Sequence, residues 1–191
     1  MVAESGMAPI RKPRADAERN RQKLLETARA MFAAQGPDVP LEEIARTAGV
    51  GIGTLYRHFP NREDLLLEVY RHEIARLCGA AEHLAESKEP IEALRSWLLL
   101  FVDHLADNIA LGDAVKASAG ESKADVTAKL MFALDLLVVR PIEQGAIANP
   151  GIEPLDLLRA LYGVATASPA GNWQEAARRM VDILVAGMKR V

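Results

Sequence analysis

Between Gly49 and Phe59 the chain gathers residue types that suit hydrogen bonding to a polyanion. Gly51 and Gly53 present backbone amides with no side chain in the way. Thr54 and Tyr56 bring hydroxyls, and Arg57 and His58 bring nitrogen donors. Phosphate oxygens and the base edges of a DNA major groove accept such groups. Ile52 offers apolar contact alone, of the kind a thymine methyl accepts. Leu55 and Phe59 stand four apart, so on a helix they share one side and anchor it from beneath. Arg57 also fits a solvated face, His58 a structural histidine, and Tyr56 packing on a preceding helix. What positions this run therefore matters.

Other chemistries find little support. The chain has no Gly-rich phosphate loop, no nucleophile elbow and no cluster of His, Cys and carboxylates at metal-ligand spacing. His72 and His83 are eleven apart, and neighbouring Glu73 and Glu82 add no ligand spacing. Neither an enzyme nor a metal or other cofactor is expected. Cys78 is the lone cysteine, which excludes an intramolecular disulfide. No apolar run approaches the ~20 residues of a membrane span. No apolar segment follows Arg11, Lys12 and Arg14 as a signal peptide requires, so a cytoplasmic protein is expected. Net charge is −3, but its distribution is uneven. Residues 11–30 carry seven Lys/Arg against three Asp/Glu, whereas 61–191 carry 14 against 19. A few local cations suffice for phosphate contact, and a solvated helix face would look the same.

The elements around the polar run are helical. Ala and Leu recur along a 191-residue chain in which aromatics are only 5%, and β-branched runs are scarce. A helix is expected from about Ala17, with Leu24, Leu25, Ala28, Met31 and Phe32 on one face and Gly36-Pro37 ending it. Pro40 suits the first position of a second helix, Glu42 and Glu43 suit its first turn, and Leu41, Ile44, Ala45 and Ala48 make its buried side. Gly49 ends it as a left-handed cap, and a third short helix spans about Ile52 to Phe59. Two short helices joined by a glycine turn form the skeleton of a helix-turn-helix. Asn61 caps a long helix reaching about Glu86, and Pro90 opens another. Residues 110–121 fit a short helix or a loop. Ser122 starts a further helix. Asn149-Pro150-Gly151 and Ser168-Pro169-Ala170-Gly171 are breaks on either side of a helix from Pro154. Asn172 and Glu175 make a capping-box-like pair before an apolar stripe from Trp173 to Met188. The expected fold is all-α. It has a mobile arm at 1–15, a three-helix helix-turn-helix domain at 16–62 and a larger helical domain at 63–191.

The run Ile44-Ala45, Ala48-Gly49-Val50-Gly51-Ile52-Gly53-Thr54-Leu55-Tyr56-Arg57-His58-Phe59, followed by Asn61-Arg62-Glu63-Asp64-Leu65-Leu66, resembles the DNA-binding signature of the tetracycline-repressor (TetR/AcrR) family. Ala28, Phe32 and Gly36 upstream fit the same pattern. The resemblance covers about residues 19–70. It implies DNA contact by Thr54 and by Tyr56, the latter mainly at a phosphate, and backbone binding by His58. Arg62 takes the place of a family lysine that meets phosphate. Ile52 and Gly53 take base-facing positions, with Gly51 and Arg57 beside them. One departure stands out. Pro40 and Leu41 occupy a region where many members carry a phosphate-binding Thr or Ser.

The same resemblance implies a transcriptional regulator that is a homodimer through helices near 154–167 and 172–189. It would be released from a palindromic operator by a small-molecule effector. A constitutive DNA-binding regulator without an effector is the alternative. Trp97, Phe101 and His104 share a face at i, i+4 and i+7, with Met131, Phe132 and Tyr162 as facing residues. That set fits an effector cavity and fits ordinary core.

Overall fold

The computed structural model describes residues 13–118, 122–167 and 172–189. Among them every regular element is helical. The chain divides into two units, residues 1–65 and 66–191. The boundary expected after residue 62 falls at the first turn of a helix that runs through both. Most of the expected arm, and the break at 168–171, lie outside the described residues.

The N-terminal unit holds α1 (Pro13–Gln35), α2 (Leu41–Thr47), α3 (Ile52–His58) and the start of α4 (Arg62–Ser87). α1 begins four residues before the expected Ala17. Proline is tolerated in a first helical turn, where its missing N–H has no partner to lose. The expected face of α1 is buried at Leu24, Leu25, Ala28, Met31 and Phe32. It meets Leu41, Ile44 and Ala45 of α2 and Leu55 of α3, with Val39, Val50 and Phe59 closing the core. Gly36 ends α1 at φ +87°, a left-handed angle that favours glycine.

The C-terminal unit holds the rest of α4, then α5 (Pro90–Ser118), α6 (Ser122–Leu134), α7 (Arg140–Glu143), α8 (Pro154–Ala167) and α9 (Trp173–Ala186). α5 settles the ambiguity at 110–118: it stays helical through Gly112. A Cβ there would stand 3.4 Å from the Tyr70 ring, so the glycine admits a close approach of α4. α5 packs on α8 and α9 through Leu94, Trp97, Leu98, Leu105, Leu161, Val181 and Val185. Two exposed ion pairs tie its flank to α9, Arg95–Asp182 at 2.9 Å and Asp103–Arg178 at 2.5 Å. Each contributes at most about 1 kcal/mol in such exposure.

α6 and α7 are joined without a break by a π-helical turn, Asp135–Val139. Pro141 gives a physical reason. A proline ring in a helix strikes the carbonyl four residues back, here Leu137, and a widened turn relieves the clash. At the next break the Asn149 side chain accepts the Gly151 N–H at 2.8 Å, with Gly151 at φ +74°. Asn172 precedes α9 as expected but makes no side-chain cap to backbone; its amide donates to Glu175 Oε2 at 2.9 Å instead. The apolar stripe of α9 splits. Ala177, Val181, Val185 and Met188 are buried within the unit, while Trp173, Ala176, Met180 and Leu184 are half-buried and Ile183 is exposed.

Candidate nucleic-acid interface

The turn between α2 and α3 is built by backbone bonds. The Val50 N–H donates to the Ala45 carbonyl at 3.0 Å and the Gly49 N–H to the Arg46 carbonyl at 3.2 Å. That pair is the Schellman arrangement, and it places Gly49 at φ +66°. The apolar residue after the glycine, Val50, is buried as the motif favours. Pro40 offers no capping side chain, but its carbonyl accepts the N–H groups of Glu43 and Ile44.

α3 rides on this turn. Leu55 is fully buried beneath it, and the Phe59 N–H donates to the Leu55 carbonyl at 2.8 Å. The Arg21 guanidinium lies 5.6 Å from the centre of the Phe59 ring, within cation–π range. With its underside held, α3 exposes its other side. Ile52 (39% exposed) and Tyr56 (43%) are the large exposed apolar side chains of the described N-terminal unit. Four residues apart, they share a face with exposed Gly53, and Arg57 is exposed beside them. Thr54 and His58 are half-buried at its edges. Gly51 caps α3 at φ −63°, and a Cβ at Gly51 or Gly53 would meet nothing within 4 Å. Neither the backbone angle at Gly51 nor packing at either position calls for glycine.

Arg62, the expected phosphate ligand, is half-buried at the start of α4. Its Nη1 donates to the Pro37 carbonyl at 2.8 Å and the Val39 carbonyl at 2.7 Å, bracing the α1–α2 loop. Next to it, Asn61 Oδ1 accepts the Asp64 N–H at 2.8 Å, the cap read from sequence. Arg46, in the last turn of α2, was missed in the sequence reading. It is largely exposed, with Glu43 at 3.7 Å. The signal was available: a cation three residues before the turn glycine.

Of the five effector candidates, Trp97, Phe101 and His104 stack in a row, and Tyr162 packs on the same core as the first two. Trp97 is fully buried, and its indole N–H donates to the Leu77 carbonyl at 2.9 Å. Phe101 stacks between Trp97 and His104, at 6.1 and 6.2 Å. Burial holds the His104 imidazole below its ordinary pKa, against the opposing pull of Glu73 and Asp107. Met131 is exposed. The Tyr162 hydroxyl donates to Asp113 at 3.1 Å. Polar partners that the sequence reading missed stand by the α5 ladder. Tyr70 lies against His104, and the Asn108 amide donates to the His104 carbonyl at 3.1 Å. Among the described residues no group of His, Cys and carboxylates could hold a metal ion. No described helix is long and apolar enough to cross a membrane.

Residues 24–69 match the family described as bacterial regulatory proteins, tetR family. Residues 89–190 match the C-terminal domain described as transcriptional regulator SbtR-like. The chain belongs to the TetR family of transcriptional regulators. A TetR transcriptional regulator of Streptomyces coelicolor is 37% identical, with 90% of this chain and 99% of that one covered at a TM-score of 0.73. A TetR regulatory protein of Mycobacterium vanbaalenii is 28% identical, with 93% and 99% covered at 0.70. A curated HTH-type transcriptional regulator of Staphylococcus aureus strain USA300 is 30% identical over 109 residues. Those residues span 54% of this chain and 57% of the relative, just over half its length. TetR regulators bind DNA and are not enzymes.

Proposed function

We propose that this TetR regulator is a repressor that binds a palindromic operator as a homodimer and leaves it when a small molecule occupies the region 63–191. The observation that carries the DNA-binding half is the α3 face. Ile52, Tyr56 and Arg57 stand exposed over a helix whose underside is locked by Leu55 and Phe59. Tyr56, Thr54 and His58 donate to phosphates, and Ile52 packs on a thymine methyl. Gly51 and Gly53, which nothing within the described chain requires, let the backbone lie close to the groove. Arg57 reads a base edge or a phosphate, and Arg46 adds a second cation near the turn. Arg62 serves as a brace for the α1–α2 loop.

Two recognition helices reading one palindrome need two-fold symmetry. The half-buried edge of α9, at Trp173, Met180 and Leu184 with Ile183 beyond, supports α8 and α9 as the dimer surface. The sealed Trp97 N–H favours the constitutive alternative, because that end of the α5 ladder is satisfied without a ligand. Selection of random DNA by the purified protein, followed by genomic mapping, tests the proposal. A palindromic sequence is expected, with binding lost in Tyr56→Ala and His58→Ala. Failure to enrich any sequence, or a monomer bound to DNA, overturns it. Operator binding that no metabolite fraction relieves leaves the constitutive regulator.

A further inference from the structure

A cavity of about 240 Å³ lies in the C-terminal unit, away from the Trp97–Phe101–His104 ladder in its lining. Ala85 of α4, Ala93 of α5, Leu137 of the π turn and Pro141 of α7 form its apolar part, and Arg140 and Gln144 its polar part. It is smaller than the roughly 300–1,000 Å³ of pockets for drug-sized ligands, so its occupant has few heavy atoms.

The π turn arms this cavity. In an α-helix, residues five apart diverge by about 140° and do not meet. Here the Arg140 N–H closes back on the Asp135 carbonyl, a five-residue step that brings the two side chains together. Arg140 Nε then donates to Asp135 Oδ2 at 2.7 Å. That bond holds one edge of the planar guanidinium. Both Nη groups make no hydrogen bond among the described residues, and the Gln144 amide lines the same cavity. A guanidinium fixed through Nε and open through Nη is a fork for a planar two-oxygen acceptor. Asp135 already neutralises the guanidinium, so a carboxylate is held there by the Nη hydrogen bonds and not by net charge, and the apolar part is left for a short acyl or aryl body.

We propose that this cavity binds small monocarboxylates, with the carboxylate on Arg140 Nη and Gln144 and the apolar body against Ala85, Ala93, Leu137 and Pro141. It rests on the effector-responsive reading for its biological role, but the binding itself is tested separately. Calorimetric titration of the full chain uses acetate, hexanoate and benzoate, with benzyl alcohol and benzamide as neutral counterparts. One site per chain is expected, with benzoate or hexanoate at least tenfold tighter than acetate and than the neutral compounds. Arg140→Gln removes the fork and Ala85→Leu fills the space; each weakens binding at least tenfold while circular dichroism stays helical. Gln144→Ala, at an exposed position, weakens it severalfold and serves if either of the other two fails to fold. Absence of saturable binding by every carboxylate overturns the site, as does equal binding of alcohol and acid, or variants that bind like the parent chain. The tightest carboxylate is then added to the operator complex. Release supports both the site and the effector reading, whereas binding without release keeps the site and removes it as the effector's seat.

Discussion

The two units spend their helices in opposite ways. In the N-terminal unit, α2 and α3 are seven residues each, too short to stand alone in water. They persist because Leu41, Ile44, Ala45 and Leu55 are buried against α1, and what remains of α3 is a face left exposed among the described residues. In the C-terminal unit, α5 runs 29 residues and packs on α8 and α9, and α4, 26 residues long, adds Leu77, Ala81 and Leu84 to the same core. Buried polar side chains are few among its described residues: Glu73, Asn108 and the Trp97 indole, whose N–H donates to the Leu77 carbonyl. The contrast teaches that a short helix held from below is an instrument for touching something else. A long helix packed along its length is a frame, and its chemistry has to be sought in gaps such as the one beside the π turn.

The largest expected break in this contrast is Leu55→Ala. Removing a fully buried leucine costs about 2–5 kcal/mol, and DNA binding should vanish with the packing of α3. Leu161→Ala in the other unit should cost a similar amount. Urea denaturation of both, beside a binding assay at a temperature where each stays folded, checks whether only the first removes DNA binding directly. Tyr56→Phe touches no buried contact, so stability should hold within about 0.5 kcal/mol. Loss of a hydrogen bond to a charged phosphate should weaken operator binding by about 1.5–3 kcal/mol, read by gel shift. Equal affinity would show that the hydroxyl faces no phosphate.

Gly49→Ala forces a Cβ into a left-handed angle and should cost about 1–2 kcal/mol, measured by thermal unfolding. Arg57→Ala and Arg62→Ala separate contact from support. If Arg57 meets a phosphate, its loss lowers the slope of log affinity against log salt by about 0.9. Arg62→Ala should leave that slope unchanged while lowering affinity and melting temperature, because its Nη1 is committed to the Pro37 and Val39 carbonyls. A slope that falls for Arg62 as it does for Arg57 would return it to the phosphate.

The smallest effect concerns acid. His104 is held below its ordinary value by burial, so the unfolded chain binds the proton first. Its contribution to stability is complete above about pH 6.5 and declines as pH falls through the unfolded value toward the folded one. Melting temperatures between pH 7.5 and 5 should therefore fall less steeply for His104→Gln than for the parent chain.

Much of the DNA-binding unit was legible from residues alone. Its helix faces, the turn at Gly49 and the Asn61 cap depend on neighbours within five positions, and such local relations repeat in every chain that carries them. The effector candidates were less legible. Trp97, Phe101 and His104 do form a ladder and Tyr162 packs on the same core, but Met131 is exposed. A helical stripe records only that a side is buried, and the packing partner comes from a distant element. The length of α5 past residue 110 was ambiguous for the same reason, since Gly112 is read as a breaker until Tyr70 lies against it.

By itself, the sequence determined the helical class, the glycine turn and the side of α3 that faces away from Leu55 and Phe59, because periodicity and backbone angles are local properties. Tertiary structure alone decided three other matters. It set Arg62 on carbonyls 23 and 25 residues away, split the α9 stripe into a buried and a half-buried edge, and fixed the guanidinium of Arg140 through a π turn. Each depends on where a side chain's partner arrives in space, and spacing along the chain carries no record of that.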